Sequence, residues 1–282
     1  MQFASEFSKE ADPYLKLDAG QFQIIGKSIA GVETVFSIPQ WNLTFDTGRA
    51  PSFSVHNDYL ALTHWHLDHA GGLPHFLSLR CLNALPPLQV IVPQEKVKST
   101  EAFLNILKST SESELNYKVH SASEKISLQR ELTLQGIQNY HCTPSTGYLV
   151  TQTKQKLMKE FEGATEAEII AAKKSGKSVT QTLTLPLLAF SGDSQGEFLA
   201  TEATQAKYLL MECSFFEEEM NVQKIDDYGH THIQDWKKYA EKIESEVVIM
   251  THTSQRYSRK EIEAACQKHL PKSLLDRLVV FR

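Results

Sequence analysis

Thr63-His64-Trp65-His66-Leu67-Asp68-His69 packs four metal-capable side chains, His64, His66, Asp68 and His69, into six positions. Neutral imidazole is the usual zinc ligand and carboxylate its usual partner, so the cluster reads as a metal site rather than as satisfied core histidines. Tyr59-Leu60-Ala61-Leu62-Thr63 before it is apolar enough for a buried strand, and Ala70-Gly71-Gly72-Leu73-Pro74 after it reads as a turn or a helix start. The ligands are therefore expected at a strand's carboxyl end. In an extended segment His64 and His66 point the same way, while Asp68 and His69 leave in another direction. One short loop can thus feed two neighbouring metals. A pair of metals activates water and clamps the attacking and leaving oxygens of a displacement, which makes phosphodiester hydrolysis the natural candidate.

The same pattern of strand and then ligand recurs along the chain. His141 follows the alternating 132–140 stretch, Asp193 follows the apolar run Leu185-Pro186-Leu187-Leu188-Ala189-Phe190, and His252 follows Val247-Val248-Ile249-Met250-Thr251. Their recurrence after hydrophobic strands raises all three together as ligands. Asp193 has the carboxylate needed to bridge two cations.

With these residues in place, the sequence resembles the metallo-β-lactamase superfamily and, within it, the ribonuclease Z (tRNase Z) family of tRNA 3′-processing endonucleases. His64-Trp65-His66-Leu67-Asp68-His69 fits the superfamily's His-x-His-x-Asp-His motif, and His141, Asp193 and His252 fit its later ligands. Met211-Glu212-Cys213-Ser214-Phe215, the Tyr228-Gly229-His230 turn and Thr251-His252-Thr253-Ser254-Gln255-Arg256-Tyr257 are similar to blocks of ribonuclease Z itself. Phe45-Asp46-Thr47-Gly48-Arg49 resembles the short, plant-type branch. The resemblance implies an αββα sandwich, two mixed sheets face to face with helices outside, as a single domain over 1–282 with an arm insertion at about 154–180. It implies one zinc on His64, His66, His141 and Asp193, and a second on Asp68, His69, Asp193 and His252. It also implies that Asp46 buttresses the metal loop, and that the protein is a homodimer. Ser194 and His232 stand where the family has Thr, and the arm lacks the usual Gly-Pro.

Asp68 is expected to orient or deprotonate the nucleophile. His230, paired with Glu212, is expected to protonate the departing 3′ oxygen, because a carboxylate partner keeps imidazolium populated near neutral pH. Manganese is an alternative to zinc, since nitrogen and carboxylate ligands without thiolate do not compel zinc. Rival readings are a phosphodiesterase for small or cyclic phosphodiesters and a generic thioesterase or lactonase on the same fold.

Composition bounds the partners. A 282-residue chain with 41% hydrophobic residues can bury a large α/β core. A net charge of −5 argues against indiscriminate nucleic-acid binding, so contact with precursor tRNA must be local. Lys154, Lys156, Lys159, Lys173, Lys174 and Lys177 are the candidate RNA-binding group, with Arg256 as a further phosphate contact. Helices are expected at about 96–108, 164–175, 232–244 and 258–269, and the Ser109–Glu114 run as a surface loop. His56, His75, His120 and His269 lack partners at ligand spacing, His75 being nearest the site. The four scattered cysteines read as reduced core or near-core thiols. No signal peptide or membrane span is legible, so the cytoplasm is the expected compartment.

Overall fold

The computed structural model describes residues 2–3, 5–6, 14–129, 131–217 and 228–282. Its strands are β1 (Gln2–Phe3), β2 (Ser5–Glu6), β3 (Leu15–Asp18), β4 (Gln23–Ile29), β5 (Glu33–Ile38), β6 (Leu43–Phe45), β7 (Tyr59–Ala61), β8 (Leu88–Val92), β9 (Tyr117–Ser121), β10 (Ile126–Gln129), β11 (Leu132–Ile137), β12 (Gly147–Leu157), β13 (Thr180–Phe190), β14 (Tyr208–Glu212), β15 (Val247–Thr251) and β16 (Leu278–Val280). They form two mixed sheets, one ordered β2 to β9 in sequence and the other β1-β16-β15-β14-β13-β12-β11-β10. Each sheet has a parallel side, β6 to β9 in one and β13 to β16 with β1 in the other.

Side-chain alternation explains why the sheets stack. In β14, Leu209 and Met211 face one apolar cluster while Leu210 faces another, and Val248, Ile249 and Met250 of β15 divide in the same way. In the other sheet, Leu60 and Leu62 are split from Ala61, and Val90 and Val92 from Ile91. Successive strand residues point to opposite faces, so strands apolar throughout must be covered on both sides. The shared cluster joins Ile24, Phe36 and Phe45 of one sheet to Phe190, Leu210 and Ile249 of the other, and is the seam between the sheets. The outer face of the β2–β9 sheet is covered by α2 (Leu73–Leu82) and α3 (Val97–Ser111), which bury Phe76, Leu77 and Leu104. α5 (Ile233–Tyr239) and α6 (Arg259–His269) cover the other sheet with Trp236, Ile262 and Cys266. The result is the expected four-layer αββα sandwich.

Three of the four expected helices begin at a side-chain cap. Thr165 and Glu168 form a capping box for α4 (Glu166–Lys174), as do Ser258 and Glu261 for α6. The His232 imidazole accepts from the Gln234 N–H while Asp235 accepts from the His232 N–H, so this histidine caps α5 in place of the hydroxyl expected there. Two expectations need correction. The Ser109–Glu114 run is not all loop: α3 continues to Ser111, because Ser109 and Thr110 satisfy their hydroxyls on the Ile106 carbonyl of the preceding turn. The cysteines are not all near-core, since Cys213 and Cys266 are buried but Cys81 and Cys142 are exposed. No helix among the described residues is long and apolar enough to cross a membrane.

Candidate metal centre

The expected ligands converge from the carboxyl ends of the parallel strands and from the loop after β11. β7 leads into Thr63–His69, whose last residues close a helical turn, α1 (Leu67–Ala70). This turn reverses the chain and swings Asp68 and His69 away from His64 and His66. β13 is followed by Gly192 at φ 59° and Asp193, and β15 by His252 at φ 52°. A left-handed non-glycine residue such as His252 costs on the order of 1 kcal/mol or more, and such strain concentrates at functional sites. A hydrogen bond holds it: the His252 N–H donates to Ser28 Oγ at 3.0 Å.

Two sets of ligand atoms result, His64 with His66, His141 and Asp193, and Asp68 with His69, Asp193 and His252, each set lying within 4.8 Å of itself. Asp193 belongs to both. Its Oδ2 lies 3.6 Å from His64 Nε2, and its Oδ1 lies 3.1 Å from His69 Nε2 and 3.2 Å from His252 Nε2. One carboxylate thus turns one oxygen toward each set.

The imidazoles are oriented from behind. Thr63 Oγ1 donates to Asp46, so it can only accept from His64 Nδ1, 3.0 Å away. Asp46 Oδ2 accepts from His69 Nδ1 at 2.7 Å, and the Gly229 carbonyl accepts from His141 Nδ1 at 2.7 Å. Ser214 Oγ donates to Glu212 Oε2 at 2.6 Å and so accepts from His252 Nδ1 at 3.1 Å. In four rings the proton is therefore fixed on Nδ1, leaving the Nε2 lone pair facing the cluster. Such backing sets tautomer and ring angle in metal-binding histidines. His66 instead presents Nδ1, 3.3 Å from His141 Nε2.

These donors fit a pair of divalent cations. His64 Nε2 is fully buried with no hydrogen-bond partner, a costly arrangement for a group that accepts nothing else. His69 Nε2 and His252 Nε2 lie 3.1 and 3.2 Å from Asp193 Oδ1, and a cation bound among them would replace the proton that His69 shares with this carboxylate. Burial pushes the His64, His66 and His141 imidazoles below their ordinary value, which keeps their lone pairs available. Burial also opposes charge on Asp193, yet His252 and His69 hold its carboxyl well below the usual range. His69 is opposed by burial too, but Asp193 and Asp46 raise it well above the ordinary value. The pocket around His69 thus favours positive charge, which a bound cation supplies after displacing the proton.

Beside the two sets, His230 Nδ1 lies 2.9 Å from Glu212 Oε1. His230 stacks on His252 at 5.3 Å between ring centroids and lies 5.2 Å from His141. Glu212 is fully buried, and its carboxylate already accepts from the Ser194 N–H, Ser214 Oγ and His230. Although Glu212 and His230 fall close enough to Asp193 and His252 to form a third donor set, these bonds occupy Glu212, so it orients His230 rather than a metal. Burial lowers the His230 pKa, but Glu212 outweighs it and lifts the value to about 9.

With this geometry in view, the relatives are informative. No family model matches the chain. It is 35% identical over 263 residues to tRNase Z TRZ1 of Arabidopsis thaliana, covering 91% of the chain and 94% of that relative. The chain belongs to the tRNase Z family. Among solved structures, human tRNase Z, short form, superposes with a TM-score of 0.56 at 16% identity, covering 100% of this chain and 95% of that one. The metallo-β-lactamase fold protein YhfI of Bacillus subtilis superposes with a TM-score of 0.57 at 11% identity, covering 99% and 92%. These two likenesses establish the metallo-β-lactamase fold that the tRNase Z family shares.

The remaining residues singled out in the sequence lie elsewhere. Lys154, Lys156, Lys159, Lys173, Lys174 and Lys177 are all exposed, on the outer part of β12 and on the segment joining it to β13. β12 and β13 pair from Tyr148 opposite Phe190 to Leu157 opposite Thr180. At about 3.3 Å per residue the far end of this ribbon is on the order of 30 Å from the metal centre. Arg256 is exposed on the loop after His252. His75 lies in none of the ligand sets but lines a groove beside Asp68. Thr63, Ser214 and Ser28 carry the orienting bonds and were not singled out in the sequence. The first two adjoin motif residues, whereas Ser28 has no local signal.

Proposed function

We propose that the protein is a metal-dependent endoribonuclease that removes the 3′ trailer from precursor tRNA by phosphodiester hydrolysis. Membership of the tRNase Z family supports the substrate class. The observation that carries the chemistry is the His230–Glu212 pair set against the two ligand sets. A ribose 3′ oxygen is a poor leaving group and needs a proton, whereas thioester hydrolysis has no comparable need of a positioned acid.

His64, His66, His141 and Asp193 would hold one zinc ion, and Asp68, His69, Asp193 and His252 the other. Bound there, the ions would lower the pKa of a water and take up charge on the phosphate oxygens. Asp68, partly exposed beside His69 and His252, orients that water and accepts its proton. The water oxygen bonds to phosphorus and the bond from phosphorus to O3′ breaks. His230 gives the departing oxygen its proton while Glu212 keeps the ring in register. The products are a 3′-hydroxyl on the tRNA and a 5′-phosphate on the trailer. Asp46 holds His69 from behind the ligand set.

The chain acts as one metallo-β-lactamase-fold domain, with residues at about 154–180 forming an arm. Its tip points away from the chain's own metal centre, which supports a homodimer in which the arm's lysines grip tRNA presented to the partner. Arg256 is a further phosphate contact. The cytoplasm is the expected compartment. End-mapping of the products from precursor tRNA tests the reading: a 3′-hydroxyl on the tRNA is expected, and a 2′,3′-cyclic phosphate would exclude water as the nucleophile.

A further inference from the structure

A groove of about 470 Å³ opens on the Asp68 side of the ligand sets, within the range on the order of 300–1,000 Å³ of small-ligand sites. Its walls are Gly31 and the Gly48–Arg49 turn on one side and Leu67, Gly72 and His75 on the other, with Asp68 between them. The Arg49 turn is built to a fixed shape. Gly48 and Ala50, either side of Arg49, have φ of 49° and 57°. The Arg49 N–H donates to Glu33 Oε1 at 2.9 Å, and Glu33 is almost fully buried. A Cβ on Gly48 would lie 2.6 Å from Glu33 Cγ, and one on Gly72 2.5 Å from the Gly48 carbonyl. Those two glycines are what let the turn, the glutamate and the metal loop close on one another. The Gly31 N–H donates to Asp68 Oδ2 at 2.9 Å, tying the far wall to the metal loop.

The contents of the groove indicate what it takes. Arg49 and His75 are exposed N–H donors, Leu67 is 81% exposed, and the glycines leave backbone accessible. The groove around His141 has no Lys or Arg in its walls and includes Glu95. A polyanionic strand crossing the metals from one groove to the other therefore meets a side-chain cation on the Asp68 side. We propose that this groove binds the phosphate next to the scissile one in an RNA strand, with Arg49 as its principal contact, His75 as a second donor and Leu67 against the adjoining base. The proposal rests on the ribonuclease reading above and adds to it a specificity-determining subsite. A guanidinium matches two phosphate oxygens at once, which a lysine ammonium does not.

The test pairs Arg49 substitutions in the metal-loaded full chain with precursor tRNA carrying a methylphosphonate at the phosphate on either side of the cleavage position. Arg49→Ala is expected to raise KM for the unmodified substrate on the order of tenfold, with metal content unchanged. On one of the two neutralised substrates the substitution should add no further loss, because the charge that Arg49 meets is already gone. Arg49→Lys should recover only part of the affinity. Equal KM for wild type and Arg49→Ala, or losses that simply add at both positions, would overturn the proposal. A wild-type protein that leaves precursor tRNA uncut would defeat the ribonuclease reading instead. The groove is then judged by the binding of a short single-stranded RNA, whose salt dependence should flatten by about 0.7 in logarithmic slope when one phosphate contact is removed. An unchanged slope would overturn the proposal there as well.

Discussion

Asp46 Oδ2 lies 2.7 Å from His69 Nδ1, with both side chains fully buried and Asp46 itself at φ 52°. Its other oxygen accepts from the Thr63 N–H at 2.8 Å, so one carboxylate pins both ends of the 63–69 loop. Removing it should act on the metal before it acts on chemistry. Asp46→Ala is expected to weaken metal binding at the Asp68–His69–His252 set by about 10–100-fold and to cost on the order of 1–3 kcal/mol of stability from the unpaired His69. Zinc titration and thermal melting read the two effects. Metal affinity equal to wild type would show that Asp46 is a turn residue only.

Because Asp193 turns one oxygen toward each ligand set, its loss should be felt at both. Elemental analysis of the purified protein should find about two divalent ions per chain. Asp193→Ala should lose both more completely than His252→Ala, which removes a ligand from one set. His69 must shed its proton to bind, so uptake at its set should weaken as pH falls. At most one ion in folded protein, with no second taken up on titration, contradicts the bridging arrangement.

His230→Ala should lower turnover by about a hundredfold to ten-thousandfold, as expected for a positioned acid, with metal content near wild type. The loss should shrink on a nitrophenyl phosphodiester, whose leaving group barely needs a proton. Glu212 raises the His230 pKa above its ordinary 6.5 to about 9, so the imidazolium persists through neutral pH and is lost as pH rises through about 9. The stability it contributes has the same sign: fully present below about 6.5 and lost toward alkaline pH. Bound divalent ions oppose the nearby positive charge and draw the limb downward. Glu212→Gln should move the alkaline limb of the rate profile further to lower pH. A limb that stays in place, or an equal loss on both substrates, counts against the acid role.

Deleting about 158–179 beyond the paired part of β12 and β13 should cripple cleavage of precursor tRNA and spare a small bis-aryl phosphodiester. Contacts with remote parts of a substrate serve only substrates that possess them. Light scattering of the intact protein should give the mass of two chains. A monomer with full activity on precursor tRNA would contradict the dimer, and a deletion variant that trims at the wild-type rate would make the arm ordinary surface.

Much of the fold was legible because the strands bury both faces: Leu209-Leu210-Met211 and Val248-Ile249-Met250 are apolar throughout, as a covered parallel strand must be. The residues of the two candidate ligand sets were legible because metal chemistry favours a few residue types, and these stand just past such strands. The groups behind them were less so. The bond from the His252 N–H to Ser28 joins residues 224 positions apart, and no local pattern marks it. His232 reads as a departure from a hydroxyl motif, yet its ring does the same capping work. The exposure of Cys142 beside His141 could not be read from spacing, since side-chain direction in an irregular loop follows no period.

Metal-dependent ribonuclease activity is measured most simply as 3′-trailer cleavage of a precursor tRNA by the purified protein, before and after chelation and after zinc is restored. A single cut releasing the intact trailer is expected, with activity lost on chelation and restored by the second equivalent of zinc. Undiminished cleavage in chelated protein free of metal, or no cleavage by zinc-loaded protein that still hydrolyses a small phosphodiester, would contradict the ribonuclease reading.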